Sequence, residues 1–169
     1  SQHPLTCFSP SEKTTPTIDP LARVATMFSN ASTTSPWTLP AHVSMLSGLY
    51  PHRHRVQEHE HAIPSDVETL AMFLSRLPMT TAGIVSSELL TKRHGLGRGF
   101  DTYKYVSEWG PDATGERRIR NPGRFVTDQA LTWLRQRDEE PFFLFLHYYD
   151  AHSDYAPEEK YRAMFVDPY

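Results

Sequence analysis

The 169-residue sequence contains a single cysteine, Cys7. This excludes a disulfide within the chain and any zinc site that needs two or more thiolates. Lys and Arg total 17 against 20 Asp and Glu, giving a formal net charge of -3, so the chain lacks the basic excess of a general nucleic-acid binder. No segment approaches the roughly 20 consecutive apolar residues that span a bilayer. We therefore expect no nucleic-acid partner and no membrane span in this chain.

Glycine is scarce relative to proline, with 8 glycines against 14 prolines, which indicates a loop-rich chain with well-defined turns. Aromatic residues make up 12% of the sequence, a share that argues against a disordered chain. The sequence begins with Ser rather than Met and stops at VDPY. We therefore expect residues 1–169 to be part of one domain of a longer protein, truncated at both ends.

Hydrophobic periodicity predicts alternating helices and buried strands. In the helix that ends near Gly48, Val43, Met45 and Leu46 are expected to face the core. In the helix that begins near residue 65, Ser65 and Glu68 fit a capping box. A helix followed by a buried strand occurs twice, which predicts an α/β fold with a mostly parallel sheet covered by helices. The predicted helices are 18–25 with Thr17 as N-cap, a segment from Pro40 to Gly48, 65–77 and 125–137, and the predicted strands are 27–31, 82–86 and the apolar run after Pro141.

Thr38 comes just before a helix with Pro40 in its first turn. A hydroxyl at the positive end of a helix dipole suits a nucleophile that attacks an anionic ester, because free backbone N–H groups can hold the anion. His42 would lie one turn deeper in the same helix. The alternative, that Thr38 is an ordinary N-cap residue, is the commoner situation for a threonine before a helical proline.

A second polar segment follows the apolar run and contains His147, Asp150 and His152. In parallel α/β sheets the carboxyl ends of the strands carry the ligand site. Imidazole and carboxylate side chains leaving such an end can bind a metal or the oxygen of a leaving group. The alternative is a histidine packed among the tyrosines of this segment.

Two further segments carry cationic or imidazole side chains. Lys92 and His94 lie on a glycine-punctuated loop that suits an anion, although a solvated basic loop is the more usual explanation. Four histidines nearby have the composition of a metal-binding tract, and a surface loop is the simpler interpretation. These histidines are His52, His54, His59 and His61.

Taken together, these segments resemble the sulfatase branch of the alkaline-phosphatase-like superfamily, over nearly the whole chain and in the correct order. The segments that carry the resemblance are TTPTIDPLA, MFSNASTTSPWTLPAHVSMLSGLYPHRHRV, HGLGRGFDTY and PFFLFLHYYDAHSDYAPEEKYRAMF. The resemblance implies part of a three-layer catalytic domain with a mostly parallel central sheet. It also implies a hydrolase that acts on sulfate or phosphate esters.

The resemblance assigns roles to several residues. The catalytic position of the family, Cys or Ser in true sulfatases, falls on Thr38, which implies that Thr38 is both the nucleophile and a metal ligand. Because threonine is not a substrate for conversion to formylglycine, we expect none here; threonine is instead the direct nucleophile in related phosphodiesterases and phosphotransferases. His152 falls near the leaving group, Lys92 and His94 fall on the pair that contacts the ester oxygens, and His42 replaces the usual arginine as a substrate-binding residue.

The resemblance also implies a divalent metal in the full-length protein, calcium as in sulfatases or zinc or manganese as in the threonine and serine phosphoesterases. The family's remaining ligands belong to segments before and after this chain, which leaves only Thr38. A divalent cation needs several ligands at once. We therefore expect this piece alone not to bind the catalytic metal tightly and to be inactive by itself.

The predicted substrate is a small-molecule or glycan-type ester that carries an anionic group. Two alternatives remain. The chain is a catalytically inactive relative that serves as a binding or scaffold domain, or it is a stand-alone metal binder that uses the histidine tract.

Overall fold

The computed structural model describes residues 15–106, 109–111, 117–119, 122–150 and 152. The chain divides into two compact units, Ser1–Thr33 and Thr34–Tyr169. The described helices are α1 (Ile18–Val24), α2 (Thr38–Ser47), α3 (Pro51–His54), α4 (Leu70–Leu74) and α5 (Pro122–Arg135), with 3₁₀ turns at Glu88–Leu90 and Lys92–His94. The described strands are β1 (Thr80–Val85), β2 (Thr102–Tyr105), β3 (Trp109–Pro111), β4 (Arg117–Ile119) and β5 (Phe142–His147).

In the first unit, α1 confirms the predicted helix at 18–25. The Thr17 side chain makes no capping hydrogen bond; instead, Thr15 Oγ1 donates to Asp19 Oδ1 over 2.8 Å. The predicted strand at 27–31 is wrong, because these residues form bends and irregular backbone, and Phe28 is exposed. A strand needs a neighbour that takes up its backbone hydrogen bonds, and no described strand pairs with this segment.

The second unit is organised around a three-stranded parallel sheet in the order β2-β1-β5. Val85 pairs with Tyr105 on one side and with His147 on the other, so the carboxyl ends of all three strands reach the same edge. The backbone of β3 pairs with β4 as a separate antiparallel ribbon. The sheet confirms the predicted α/β architecture with a parallel sheet.

Helices cover the sheet on both faces. Along β5, Phe143 and Phe145 pack against the cluster that contains the α2 residues, whereas Leu144 and Leu146 pack against the cluster that contains the α5 residues. Alternate residues of a strand point to opposite faces, so α2 and α5 lie on opposite sides of the sheet. The first cluster includes Leu39, Val43, Leu46, Val56, Val85, Leu90 and Leu96, and the second consists of Ile84, Val126 and Ala130.

Helix α2 follows its prediction with one exception. Val43 and Leu46 are buried, and Gly48 ends the helix in the left-handed conformation at φ 69°. Met45 does not face the core and is 65% exposed. Two residues along an α-helix turn the side chain by about 200°, which places Met45 on the side opposite Val43.

The predicted helix at 65–77 is shortened to α4, and the capping box at Ser65 does not form. Thr69 caps the helix by accepting the Met72 N–H over 3.3 Å. The preceding carbonyl oxygens accept from the Arg98 guanidinium, with distances of 2.9 Å to Pro64 and 3.1 Å to Ser65. The Pro64 carbonyl also accepts the Val67 N–H over 3.1 Å, which makes a turn with i to i+3 bonding and not an α-helical bond, so the helix begins later.

Helix α5 starts earlier than predicted, at Pro122. Its buried side carries Val126 and Ala130, whereas Leu131 and Leu134 are exposed. The predicted loop at 52–61 begins inside α3. No helix within the described part of the chain is long and apolar enough to cross a membrane.

Candidate active site

Thr38 is the first residue of the ten-residue helix α2 and is partly buried. Trp37 before it is extended, whereas Leu39 and Pro40 after it are buried, so packing fixes the point at which the helix begins. The first N–H groups of a helix have no intrahelical acceptor and carry the positive end of the dipole. The Thr38 hydroxyl therefore lies where an anionic group would be stabilised.

Thr38 lines a cleft of about 780 Å³ at the carboxyl edge of the sheet. Each of the three parallel strands contributes to this cleft, because Ser86 follows β1, Tyr105 ends β2, and Tyr149 and His152 follow β5. The lining residues are Trp37, Thr38, Gln57, Glu58, His59, Ser86, Ser87, Glu88, Leu89, Tyr105, Tyr149 and His152. The structure therefore brings the two predicted catalytic residues, Thr38 and His152, to one cavity.

A short turn holds His152 at this cleft. The His152 N–H donates to the Tyr149 carbonyl over 2.9 Å, and the two rings stack with centroids 4.5 Å apart and an interplanar angle of 12°. Both side chains line the cleft. An imidazole in this position is chemically suited to exchange a proton with a bound ester.

His42 lies one turn along α2 and is turned toward the sheet. Its Nδ1 is 2.7 Å from the Thr38 carbonyl oxygen, so this nitrogen carries the proton and donates. The ring meets His147 edge-on at 5.1 Å and lies near Phe145. His42 is not among the residues that line the cleft, and its hydrogen bond is to the Thr38 backbone rather than to the Thr38 hydroxyl. Its predicted role in substrate binding stays a prediction.

His147, the last residue of β5, is held in its neutral form. Its pKa is lowered from 6.5 to about 4, chiefly by burial, and the neighbouring His42 and His152 contribute to the same shift. Its Nδ1 is buried and has no hydrogen-bond partner within the described residues. Near pH 7, the carboxyl end of β5 thus carries an uncharged imidazole that lies near His42 and His152.

Lys92 and His94 lie on the second 3₁₀ turn and do not line the cleft. Lys92 is exposed, whereas His94 is buried and its Nδ1 donates to the His61 carbonyl oxygen over 2.8 Å. The structure does not bring this pair together with Thr38. Contact between these two side chains and ester oxygens remains a prediction.

Three cleft residues at the end of β1 were not identified from the sequence: Ser86, Ser87 and Glu88. Ser86 Oγ donates to the His147 carbonyl oxygen over 2.9 Å, which ties the ends of β1 and β5 together. The signal that could have found these residues is their position at the carboxyl end of the predicted strand AGIVS, which Ser86 ends and Ser87 and Glu88 follow, because ligand sites lie at the carboxyl ends of parallel strands.

The histidines of the tract 52–61 have separate partners. His52 stacks on Tyr50 at the surface, and His59 packs against Trp37 with ring centroids 4.7 Å apart. His54 is fully buried, where its Nδ1 accepts the Val56 N–H and its Nε2 donates to Ser44 Oγ over 3.0 Å. Burial accordingly lowers the pKa of His54. The simple interpretation as a surface loop is therefore wrong for His54.

The described residues do not by themselves fit a divalent metal. No group of three or more His, Cys, Asp or Glu side chains within the described part of the chain could hold a metal ion. This includes the histidine tract and the surroundings of Thr38. The described residues therefore do not support the stand-alone metal binder.

The sequence pattern of the sulfatase family matches residues 1–168. The chain belongs to the sulfatase family. Among proteins of known sequence, this sulfatase chain is similar to the multifunctional alkaline phosphatase superfamily protein PehA of Trinickia caryophylli. The two are 46% identical over 41 residues, which is 24% of this chain and 8% of PehA.

The solved structures that share the fold include two complexes. BT4656, in complex with its substrate D-glucosamine-2-N,6-O-disulfate, matches with a TM-score of 0.77 and 19% identity, over 97% of this chain and 36% of that one. Ps i-CgsB in complex with k-i-k-neocarrahexaose matches with a TM-score of 0.72 and 21% identity, over 89% of this chain and 43% of that one. The chain thus spans less than half the length of either of these proteins.

Proposed function

We propose that this chain is the nucleophile-bearing part of a hydrolase that cleaves sulfate or phosphate esters, with Thr38 as the nucleophile. The observation that carries the proposal is the position of Thr38, at the N-terminus of α2 and on the wall of a cleft to which all three parallel strands contribute. Membership of the sulfatase family supports the reaction class.

The proposed reaction has two steps. Thr38 Oγ attacks the sulfur or phosphorus atom and loses its proton to solvent, while the bond to the leaving oxygen breaks and His152 gives that oxygen a proton. Water then cleaves the covalent threonine ester, releasing sulfate or phosphate and regenerating the hydroxyl. The N–H groups at the start of α2 stabilise the anion in both steps.

The metal of this proposal is a divalent cation, with Thr38 as one ligand. A bound cation would stabilise negative charge on the ester oxygens. Its remaining ligands would have to come from outside the described residues, because those residues offer no sufficient group. Calcium, zinc and manganese are each consistent with a threonine hydroxyl at this position. The proposed attack by Thr38 does not require conversion of this residue to formylglycine.

The proposed substrate is a small-molecule or glycan-type anionic ester. Support for the glycan class comes from relatives bound to D-glucosamine-2-N,6-O-disulfate and to k-i-k-neocarrahexaose. The aromatic rings of Trp37, Tyr105 and Tyr149 on the cleft wall offer apolar faces to a ring-shaped leaving group. Threonine in place of the modified cysteine or serine favours phosphate over sulfate as the ester.

Kinetics of Thr38 variants test the proposal in the complete protein. We expect Thr38→Ala to lower kcat/KM for 4-nitrophenyl phosphate or sulfate by at least about 100-fold, because the substitution removes the attacking hydroxyl at the start of α2. Thr132→Ala is the matched control, since Thr132 is an exposed threonine on α5 and does not line the cleft.

Wild-type kcat/KM in Thr38→Ala would contradict the proposed role of Thr38. A wild-type protein that binds such esters but turns none of them over would instead favour the inactive binding domain.

A further inference from the structure

The turn that carries His152 is fastened to the start of helix α5 by Asp150. We propose that Asp150 is a positioning residue, which orients His152 toward the leaving group by capping α5. This inference rests on the proposed function, and it assigns a specific task to a carboxylate that does not line the cleft.

The Gly123 N–H donates to Asp150 Oδ1 over 3.2 Å. Gly123 is the second residue of α5, and its N–H is one of those that lack an acceptor inside the helix. Pro122 before it has no N–H to offer. A carboxylate at this end is favoured both by the hydrogen bond and by the helix dipole. The bond therefore joins the turn after β5 to a rigid 14-residue helix.

The contact is close enough to require glycine. A Cβ placed on Gly123 would lie 2.5 Å from Asp150 Oδ2 and 2.8 Å from Oδ1. Any side chain at position 123 would push the carboxylate away, although the helical backbone itself tolerates alanine well. Position 123 thus offers a way to break the contact without changing Asp150.

The side chains of the turn point in two directions. Tyr149 and His152 line the cleft and stack on each other, whereas Asp150 between them reaches α5. A second, exposed contact joins the Tyr148 hydroxyl to Thr127 Oγ1 over 3.2 Å. Holding one side of the turn on α5 restricts the angle at which the His152 imidazole enters the cleft, and small errors in such an angle slow a reaction strongly.

The test measures kcat/KM of the complete protein for two esters that differ in leaving group, an alkyl ester and a 4-nitrophenyl ester. We expect Asp150→Ala and Gly123→Ala each to lower kcat/KM for the alkyl ester by about tenfold and for the nitrophenyl ester by about twofold. Proton donation matters most for the more basic alkoxide, so only a displaced His152 produces this difference.

Two further variants separate positioning from folding. Asp150→Asn keeps an acceptor oxygen and should recover most of the loss seen with Asp150→Ala. In the Asp150→Ala background, Gly123→Ala should add no further loss, because the contact it breaks is already gone. Asp138→Ala is the control for removal of an exposed carboxylate at the opposite end of β5, and it should leave both rates unchanged.

Equal losses for the two esters, additive effects of the two substitutions, or wild-type rates in Gly123→Ala would each overturn the proposal. These outcomes are distinguishable from failure of the proposed function. If Thr38→Ala abolishes turnover while the Asp150 and Gly123 variants behave as wild type, Thr38 is supported as the nucleophile and the positioning role of Asp150 is excluded.

Discussion

The histidines of this chain differ in burial, and burial decides which of them stay uncharged near neutral pH. His147 ends β5 between His42 and His152, and His54 lies fully buried beside Ser44. The pKa of each is lowered, because burial penalises the charged imidazole. His52, two residues before His54, is exposed and stacks on Tyr50. Neutral buried histidines of this kind link the stability of the fold to pH.

The protein should therefore lose stability on acidification. The pKa of His147 is about 4 in the folded chain and 6.5 in the unfolded chain, so the unfolded chain binds more protons between these values. Its contribution is complete above about pH 6.5 and is lost as the pH falls toward 4. Between pH 7 and pH 5 we expect His147 alone to lower the free energy of unfolding by up to about 2 kcal/mol.

Urea unfolding at several pH values measures this effect. His147→Phe removes the titrating group and should flatten the pH dependence, whereas His52→Phe, at an exposed position, should leave it as in the wild type. An unchanged dependence in His147→Phe would show that other groups control acid stability.

At the scale of elements, helix α4 shows how a distant side chain sets a helix boundary. The pattern of residues 65–77 favours one long helix, yet Arg98 binds the carbonyls of Pro64 and Ser65 from more than thirty residues away. A contact between residues so far apart in sequence cannot be predicted from the spacing of hydrophobic residues within 65–77. The same limit applies to Met45, which hydrophobicity assigned to the core but which the geometry of α2 turns outward.

Thr69 rather than Ser65 should carry the capping energy of α4. Thr69 Oγ1 accepts the Met72 N–H and also lies within hydrogen-bonding distance of the Arg98 carbonyl, whereas Ser65 is exposed. We expect Thr69→Ala to lower the free energy of unfolding by about 1–2 kcal/mol and Ser65→Ala by less than about 0.5 kcal/mol. Chemical denaturation measures the free energy of unfolding of both variants. A larger loss for Ser65→Ala than for Thr69→Ala would contradict this prediction and favour the capping box at Ser65.

At the scale of the whole molecule, two of the three parallel strands were predictable because β1 and β5 are largely apolar runs, whereas β2, with the sequence TYKY, was not predicted. AGIVS and FFLFLH are recognisable on their own, and burial on both faces explains why they do not alternate. The order β2-β1-β5 and the register that aligns Val85 with Tyr105 and His147 arise only in three dimensions. That alignment brings the strand ends to one edge.

The candidate site was predictable to a similar degree. Resemblance and strand-end position together pointed to Thr38 and His152, and the cleft contains both. Ser86, Ser87 and Glu88 carry no motif, and only their position at the end of the predicted strand 82–86 could have indicated them. The structure places Lys92 and His94 away from this cleft, and their predicted contact with the ester remains open to test by substitution.

The central claim, that Thr38 is the nucleophile, is tested most directly by trapping its covalent ester. The complete protein is mixed with substrate, quenched in acid within milliseconds, digested, and the peptide that contains Thr38 is analysed by mass spectrometry. We predict a sulfuryl or phosphoryl group on Thr38 that appears with substrate and disappears as the substrate is consumed. Steady turnover with the peptide unmodified at every quench time, together with full activity of Thr38→Ala, would contradict the account.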